Sequence, residues 1–204
     1  MTTRNSLLKF LAIFFLAILP TNLLGQNNSS NGQFYPYLSP DVVVVDYRTL
    51  YLRSQFGIRV ASEYQEAQLA LRAESTYHTE LFQDEEKVLA EKKSNLPASE
   101  FDLLVVDFDT RVETRRKLQD GKGVALSEWE SQQRELFQAN VSPIIFQVAQ
   151  LFGTRMVLPR DVIIWFDETL DITPYVLAQA NATFGDGTGL SEYRNPLEFA
   201  GIDE

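Results

Sequence analysis

The sequence contains no cysteine and a single histidine, His78, among its 204 residues. The first absence excludes a disulfide framework, a thiolate zinc site, an iron–sulfur cluster and a cysteine nucleophile. The second leaves no multi-histidine metal centre and no Ser–His relay away from position 78. Positive charge is scarce too: 18 Lys and Arg stand against 28 Asp and Glu, a formal net charge of −10. Nucleic acid is held by clustered basic residues that neutralise phosphates, so this balance argues against it as a partner. What the chain does have is apolar residues, 45 % of the total. At this length that is enough for one or two domains with a sizeable core.

The N-terminus predicts export. Arg4 and Lys9 supply a positive start, Phe10 to Leu19 are apolar throughout, Pro20 ends the run and Gly25 offers a small residue for cleavage. Residues 1–25 therefore read as a cleaved secretory signal peptide. The apolar run is short for a membrane span, which needs about 20 residues; an uncleaved anchor is the alternative. With no cysteine behind the run there is no lipid attachment. Cleavage removes Arg4 and Lys9 and no acid, deepening the net charge from −10 to −12. The expectation is an acidic exported protein whose membrane contact is at most peripheral.

Residues 26–40, rich in Asn, Ser, Gly and Pro, read as a flexible leader. Val42 to Val45 are four consecutive valines, the pattern of a strand buried on both faces. Tyr47 to Phe56 predicts a short helix or turn ending at Gly57. From Ile58 the period changes. Alternating steps of four and three give the seam Val60, Tyr64, Ala67, Leu71, Glu74, His78, Leu81, Glu85 and Val88, spoiled at Glu74, His78 and Glu85. Lys92-Lys93 suits a helix C-terminus. Pro97 marks either a break or the first turn of the next helix, with Ser94 or Asn95 as its cap. A second run, about 98–152, carries the seam Phe101, Val105, Phe108, Val112, Arg115, Gln119, Lys122, Leu126, Trp129, Gln133 and Leu136. Gly121 and Gly123 cost about 1 kcal/mol each inside a helix and predict a soft point. Two such long runs joined by a short turn predict an antiparallel helical hairpin over 58–144, with seams too polar for a closed core.

Arg155–Leu158 and Val162–Phe166 flank Pro159 and predict a β-hairpin. Asp171-Ile172-Thr173-Pro174 opens a last helix with Thr173 as cap and Tyr175, Val176, Leu177 and Ala180 as its packing face. Residues 182–204, rich in Gly, Asp, Ser and Asn, read as a disordered acidic tail. The fold class expected is α+β, mostly α: a helical hairpin arm projecting from a small β body of residues 41–57 and 145–181. Three short strands do not cover themselves, which predicts assembly through the strands.

One motif suggests chemistry. Leu103 to Thr110, L-L-V-V-D-F-D-T, has the apolar-run–Asp-x-Asp-Thr form of a carboxylate-nucleophile phosphatase, with Asp107 as nucleophile and Asp109 as acid/base. Yet Val105, Phe108 and Val112 lie on the helical seam, and no alternation of strands and helices follows as a doubly wound sheet requires. Asp84-Glu85-Glu86 diverge on a helix and read as a solvated face. No catalytic residue, metal site or cofactor is predicted, and the chain is expected not to be an enzyme.

These landmarks resemble the Skp/OmpH family of periplasmic chaperones. The resemblance rests on V-V-V-V-D-Y-R-T-L-Y-L-R-S-Q-F-G-I-R-V (Val42 to Val60), the charged hairpin, F-G-T-R-M-V-L-P-R-D-V-I-I-W (Phe152 to Trp165) and D-I-T-P-Y-V-L (Asp171 to Leu177). Its more specific parts are the Val-Asp after the strand, the Ser-x-Phe-Gly step and the late Asp-Ile-Thr. It implies a periplasmic homotrimer whose hairpins surround a cavity, shaped like a jellyfish, holding unfolded outer-membrane β-barrel precursors without ATP. Residues then expected to line or shape the client-binding arms are Val60, Tyr64, Leu71, Leu81, Phe82, Phe101, Phe108, Val112 and Trp129. Val43, Val45, Ile163, Trp165 and Val176 are expected in the trimer body. The aromatic arm residues keep two readings, packing within the hairpin or contact with clients. A client-free coiled-coil scaffold in the periplasm is the alternative function. This chain departs from basic relatives: residues 58–100 carry five basic and nine acidic side chains, so capture is expected to lean on apolar contact.

Overall fold

The computed structural model of the protein describes residues 40–202; the expected signal peptide, the expected leader up to residue 39 and the last two residues lie outside them. The first strand, β1 (Val42–Val45), is the four-valine run, and Val43, Val44 and Val45 are at most 5 % exposed. Its partner is β2 (Met156–Pro159), which pairs parallel to it in the register Val42↔Met156 through Val45↔Pro159. The other edge of β1 is met by the chain at Asp171, where Ile172 N donates to Val44 O at 3.0 Å.

This corrects the predicted β-hairpin. Val162–Phe166 is not a strand: residues 160–162 form a 3-10 turn, Ile163 N donates to Arg160 O, and Ile164 and Trp165 stand in solvent. Pro159 has no N–H to offer a ladder, and the turn behind it carries the chain away from β2. It also corrects the argument that the strands lie uncovered. β1 is buried by helices of its own chain, so the β-rich body is a largely helical one.

The short helix α1 (Tyr47–Arg53) follows at once. Asp46 caps it, accepting from Thr49 N and Thr49 Oγ1 at 2.8 Å each, while Asp46 N donates to Thr173 Oγ1 at 2.8 Å. The Val-Asp and Asp-Ile-Thr motifs are thus two halves of one contact. The Ser-x-Phe-Gly step has an equally local cause. Ser54 Oγ donates to Tyr51 O at 2.8 Å and accepts from Gly57 N at 2.9 Å, closing α1 and opening α2 (Gln55–Lys92). A Cβ on Gly57 would lie 1.9 Å from Tyr51 O, so no other residue fits the junction.

Helix α2 has 38 residues and α3 (Ala98–Leu151) has 54, unbroken at Gly121, Gly123 and Pro143. Pro97 takes the cap position of α3; Ser94 and Asn95 do not cap it but turn back to Glu91 O. Contacts between Glu85 and Arg111, Glu74 and Lys122, and Arg59 and Gln133 step in opposite directions along the two helices, which therefore run antiparallel.

Helix α4 (Thr173–Thr183) starts one residue earlier than its sequence suggests. Ile172 holds the cap position, and Asp171 Oδ1 accepts from Thr173 N at 2.8 Å because the Thr173 hydroxyl is engaged with Asp46 N. Its buried face is Thr173, Val176 and Ala180, whereas Tyr175 is exposed.

The predicted disordered tail is ordered as far as residue 202. Residues 184–202 end in α5 (Pro196–Ala200), capped by Asn195 and closed by Gly201 in the left-handed region, with Ala200 and Ile202 buried. The core gathers around Phe137, whose ring meets Tyr51, Phe56 and Phe184 at 5.2, 5.6 and 5.9 Å.

Candidate functional site

Helices α2 and α3 hold most of the residues expected to serve function. The half-buried line on α2 runs Val60, Tyr64, Ala67, Leu71, Glu74, His78, Phe82, Glu85, Leu89. Its mean step is about 3.6 residues, that of a straight helix, against the 3.5 of a strict heptad. The seam therefore slips by one residue after His78, exchanging Leu81 and Val88 for Phe82 and Leu89. Leu81 is 47 % exposed, while Phe82 meets Phe108 edge to face at 5.9 Å.

Polar residues that spoil the two seams pair between the helices: Glu74 with Arg115 and Lys122, and Glu85 with Arg111 beside the α3 seam. Glu74 Oε1 accepts from Lys122 Nζ at 2.6 Å and also takes Arg115; Glu85 Oε2 accepts from Arg111 Nη1 at 2.8 Å. Phe108 and Arg111 add a cation–π contact at 5.9 Å. Glu74 is only 10 % exposed. Burial pushes its carboxyl up, but the hydrogen bond and charge of Lys122, with Arg115, outweigh this and hold it below its ordinary 4.5. Beside this layer a cavity of about 430 Å³ opens between the helices, lined by His78, Phe82, Phe108, Val112, Arg115 and Gln119 among others. The Gln119 amide and Arg115 Nε are buried there without hydrogen-bond partners among the described residues.

A depressed carboxyl stabilises the fold above its unfolded value and stops doing so as pH falls through the folded one. Glu74→Gln is expected to cost about 2 kcal/mol at neutral pH, since it leaves two largely buried cations without their counter-charge. Thermal melts between pH 3 and 7 check this: wild-type stability falls below about pH 4.5, and the variant gap closes there. A gap that persists at low pH would assign the loss to packing.

The other expected arm residues divide. Phe82, Phe101, Phe108 and Val112 are half-buried between the helices, and Tyr64 and Leu71 pack against the core. Val60 and Trp129 are 2 % and 0 % exposed. Both are sealed inside the single chain. Leu81 and Val88, which the seam template places inside, are left in solvent. So are apolar residues the template passed over: Tyr77 on α2, and Leu103, Val106, Leu118 and Val124 on α3. The available signal was that they are apolar at non-seam positions.

Of the expected body residues, Val43, Val45 and Val176 are buried within the single chain. Ile163 is half-buried, and Trp165 is 81 % exposed beside the fully exposed Ile164. The Asp-x-Asp motif lies within α3, where Asp107 Oδ2 accepts from Arg111 Nε at 2.9 Å; a helix offers no strand-end loop for phosphate. Among the described residues no group of His, Asp and Glu is arranged to hold a metal, and no helix is long and apolar enough to cross a membrane.

No protein-family profile and no curated protein sequence matches this chain. Its fold does have a solved counterpart. It is similar to a crystal structure from Caulobacter crescentus CB15 described as an OmpH-like candidate outer membrane chaperone, at 19 % identity and a TM-score of 0.69, over 74 % of this chain and 88 % of that one.

Proposed function

We propose that this chain is an ATP-independent periplasmic holdase of the Skp/OmpH type, binding unfolded outer-membrane β-barrel precursors between helical arms. The observation that carries the reading is the α2–α3 pair. Its interior is closed by charge pairs and half-buried aromatics, and its outer faces keep Tyr77, Leu81, Val88, Leu103, Val106 and Leu118 in water. Apolar side chains scattered singly along a charged surface suit many weak, sequence-tolerant contacts with an unfolded chain. The OmpH-like fold supports the same reading.

Three copies associate through the body and place their arms around a shared cavity. The exposed Val162, Ile164 and Trp165 beyond β2, with Met156, supply the apolar surface for it. Export by residues 1–25 delivers the protein to its clients, and no cofactor takes part. Residues 58–100 are net acidic, so capture depends on apolar contact and survives added salt.

The test is aggregation of a refolding porin. At trimer stoichiometry the protein is expected to keep the porin clear at low and high salt. Replacing Tyr77, Leu81 and Val88 together by serine should restore turbidity while leaving the melting temperature nearly unchanged, because all three are already exposed. A porin that aggregates regardless of the wild-type protein would identify a client-free scaffold.

A further inference from the structure

Residues 184–202 form a C-terminal strap across the start of α2 and the middle of α3, and the manner in which they are held is informative. Trp129 Nε1 donates to Arg194 O at 2.8 Å, and Arg59 Nε donates to Asp186 O at 2.6 Å. Both acceptors are main-chain carbonyls, which every peptide offers. Arg59 is itself built into the base: its guanidinium stacks between the Phe56 and Tyr193 rings at 4.8 and 4.9 Å, and it bonds Glu63 and Gln133. One strap side chain, Tyr193, reaches back polar-to-polar, donating to Glu63 Oε1 at 3.1 Å. The remaining hold is apolar: Phe184 meets the Phe56 and Phe137 rings at 6.1 and 5.9 Å, Leu190, Leu197 and Phe199 are half-buried, and Pro196, Ala200 and Ile202 are buried.

We infer that this groove is a peptide-binding site filled in cis by residues 184–202, and that an apolar, aromatic-bearing segment of an unfolded chain exchanges with the strap. The inference rests on the holdase reading for the identity of the outside segment. Recognition through two carbonyls and a few apolar contacts is sequence-tolerant, since it asks only for a backbone and greasy side chains. The strap is also built to leave. Glycines at 185, 187, 189 and 201 make it costly in entropy to order. A helix of five residues adds little stability of its own.

Gly187 gives the handle. Its φ is +80°, and a Cβ there would lie 2.3 Å from the Phe56 ring at the start of α2, so Gly187→Ala pushes the strap off that ring while every residue of α2 and α3 stays as it is. The probe is a fluorescein-labelled peptide of residues 184–202, titrated against full-length wild-type and G187A protein. The variant is expected to bind it saturably and at least about tenfold more tightly than wild type. Hydrogen exchange should rise in the strap while α3 stays protected. A composition-matched scrambled peptide should bind within a few fold, and a Gly/Ser peptide of equal length should not.

Strap release without peptide uptake overturns the inference, as does a strap in G187A that stays as protected as β1. Should G187A not fold, Trp129→Phe decides. It keeps a ring and removes the Nε1–H, so raised strap exchange and peptide uptake support the groove, and neither overturns it. No porin is present, so a negative result here leaves the holdase assay standing, and the reverse holds.

Discussion

Replacing Trp129 with alanine is expected to lower stability by about 3–5 kcal/mol, the usual cost of deleting a fully buried aromatic side chain. Trp129 is the largest completely buried side chain, at 0 % exposure, placed where α3 meets the C-terminal strap. Its removal leaves a cavity that helices on two sides are too constrained to fill, and it strands the Arg194 carbonyl. Total stabilities of single domains are about 5–15 kcal/mol, so the loss is a large share of what exists. Urea unfolding measures it. Leu81→Ala serves as the internal contrast: that side chain is 47 % exposed, and its loss is expected within about 0.5 kcal/mol. Equal costs at the two sites would contradict the burial of Trp129 and return it to the client-facing surface.

The second large effect is on assembly. Ile164→Asp combined with Trp165→Asp is expected to convert the proposed trimer to monomer by light scattering, with the helical circular dichroism unchanged. In the single chain Ile164 is 106 % and Trp165 81 % exposed, so neither charge disturbs an existing core. In an assembly each buried apolar side chain contributes about 1.5–3 kcal/mol, repeated at every interface. An unpaired carboxylate there is worse than neutral, since burying it without a partner is costly. A wild-type protein that scatters as a monomer would sink the trimer, and a double variant that stays assembled would move the interface elsewhere.

Much of the helical architecture is legible locally. The apolar period over 58–152 reports two long helices because every turn repeats the same evidence, and observed ends at residues 92, 98 and 151 follow from that. The exact inner face is less legible. A four-three template and a straight helix differ by about 20° per heptad, which over the length of α2 exchanges Leu81 for Phe82. Glu74, Arg115 and Lys122 read singly as defects, as does Glu85; only the antiparallel register shows that the first three neutralise one another and that Arg111 neutralises Glu85.

Residues 155–166 misled for a different reason. V-I-I-W-F has high strand propensity, but propensity measures fitness for a covered pleated surface, and among the described residues nothing covers Ile164 and Trp165. The strap misled in the opposite sense. Gly, Asp, Ser and Asn interrupt its apolar residues, which follow no period, so composition alone reads as disorder.

By itself the sequence determined the two long helices, the four-valine strand and the absence of thiol or multi-histidine chemistry. Each of these depends on neighbours a few residues away. The tertiary structure alone decided that β1 and β2 pair in parallel, that Val60 and Trp129 are buried, and that residues 184–202 are held. Those outcomes join positions such as Asp46 and Thr173, or Trp129 and Arg194, that lie far apart in the chain. Their energy exists only once the intervening helices have brought the partners together, and no local pattern carries it.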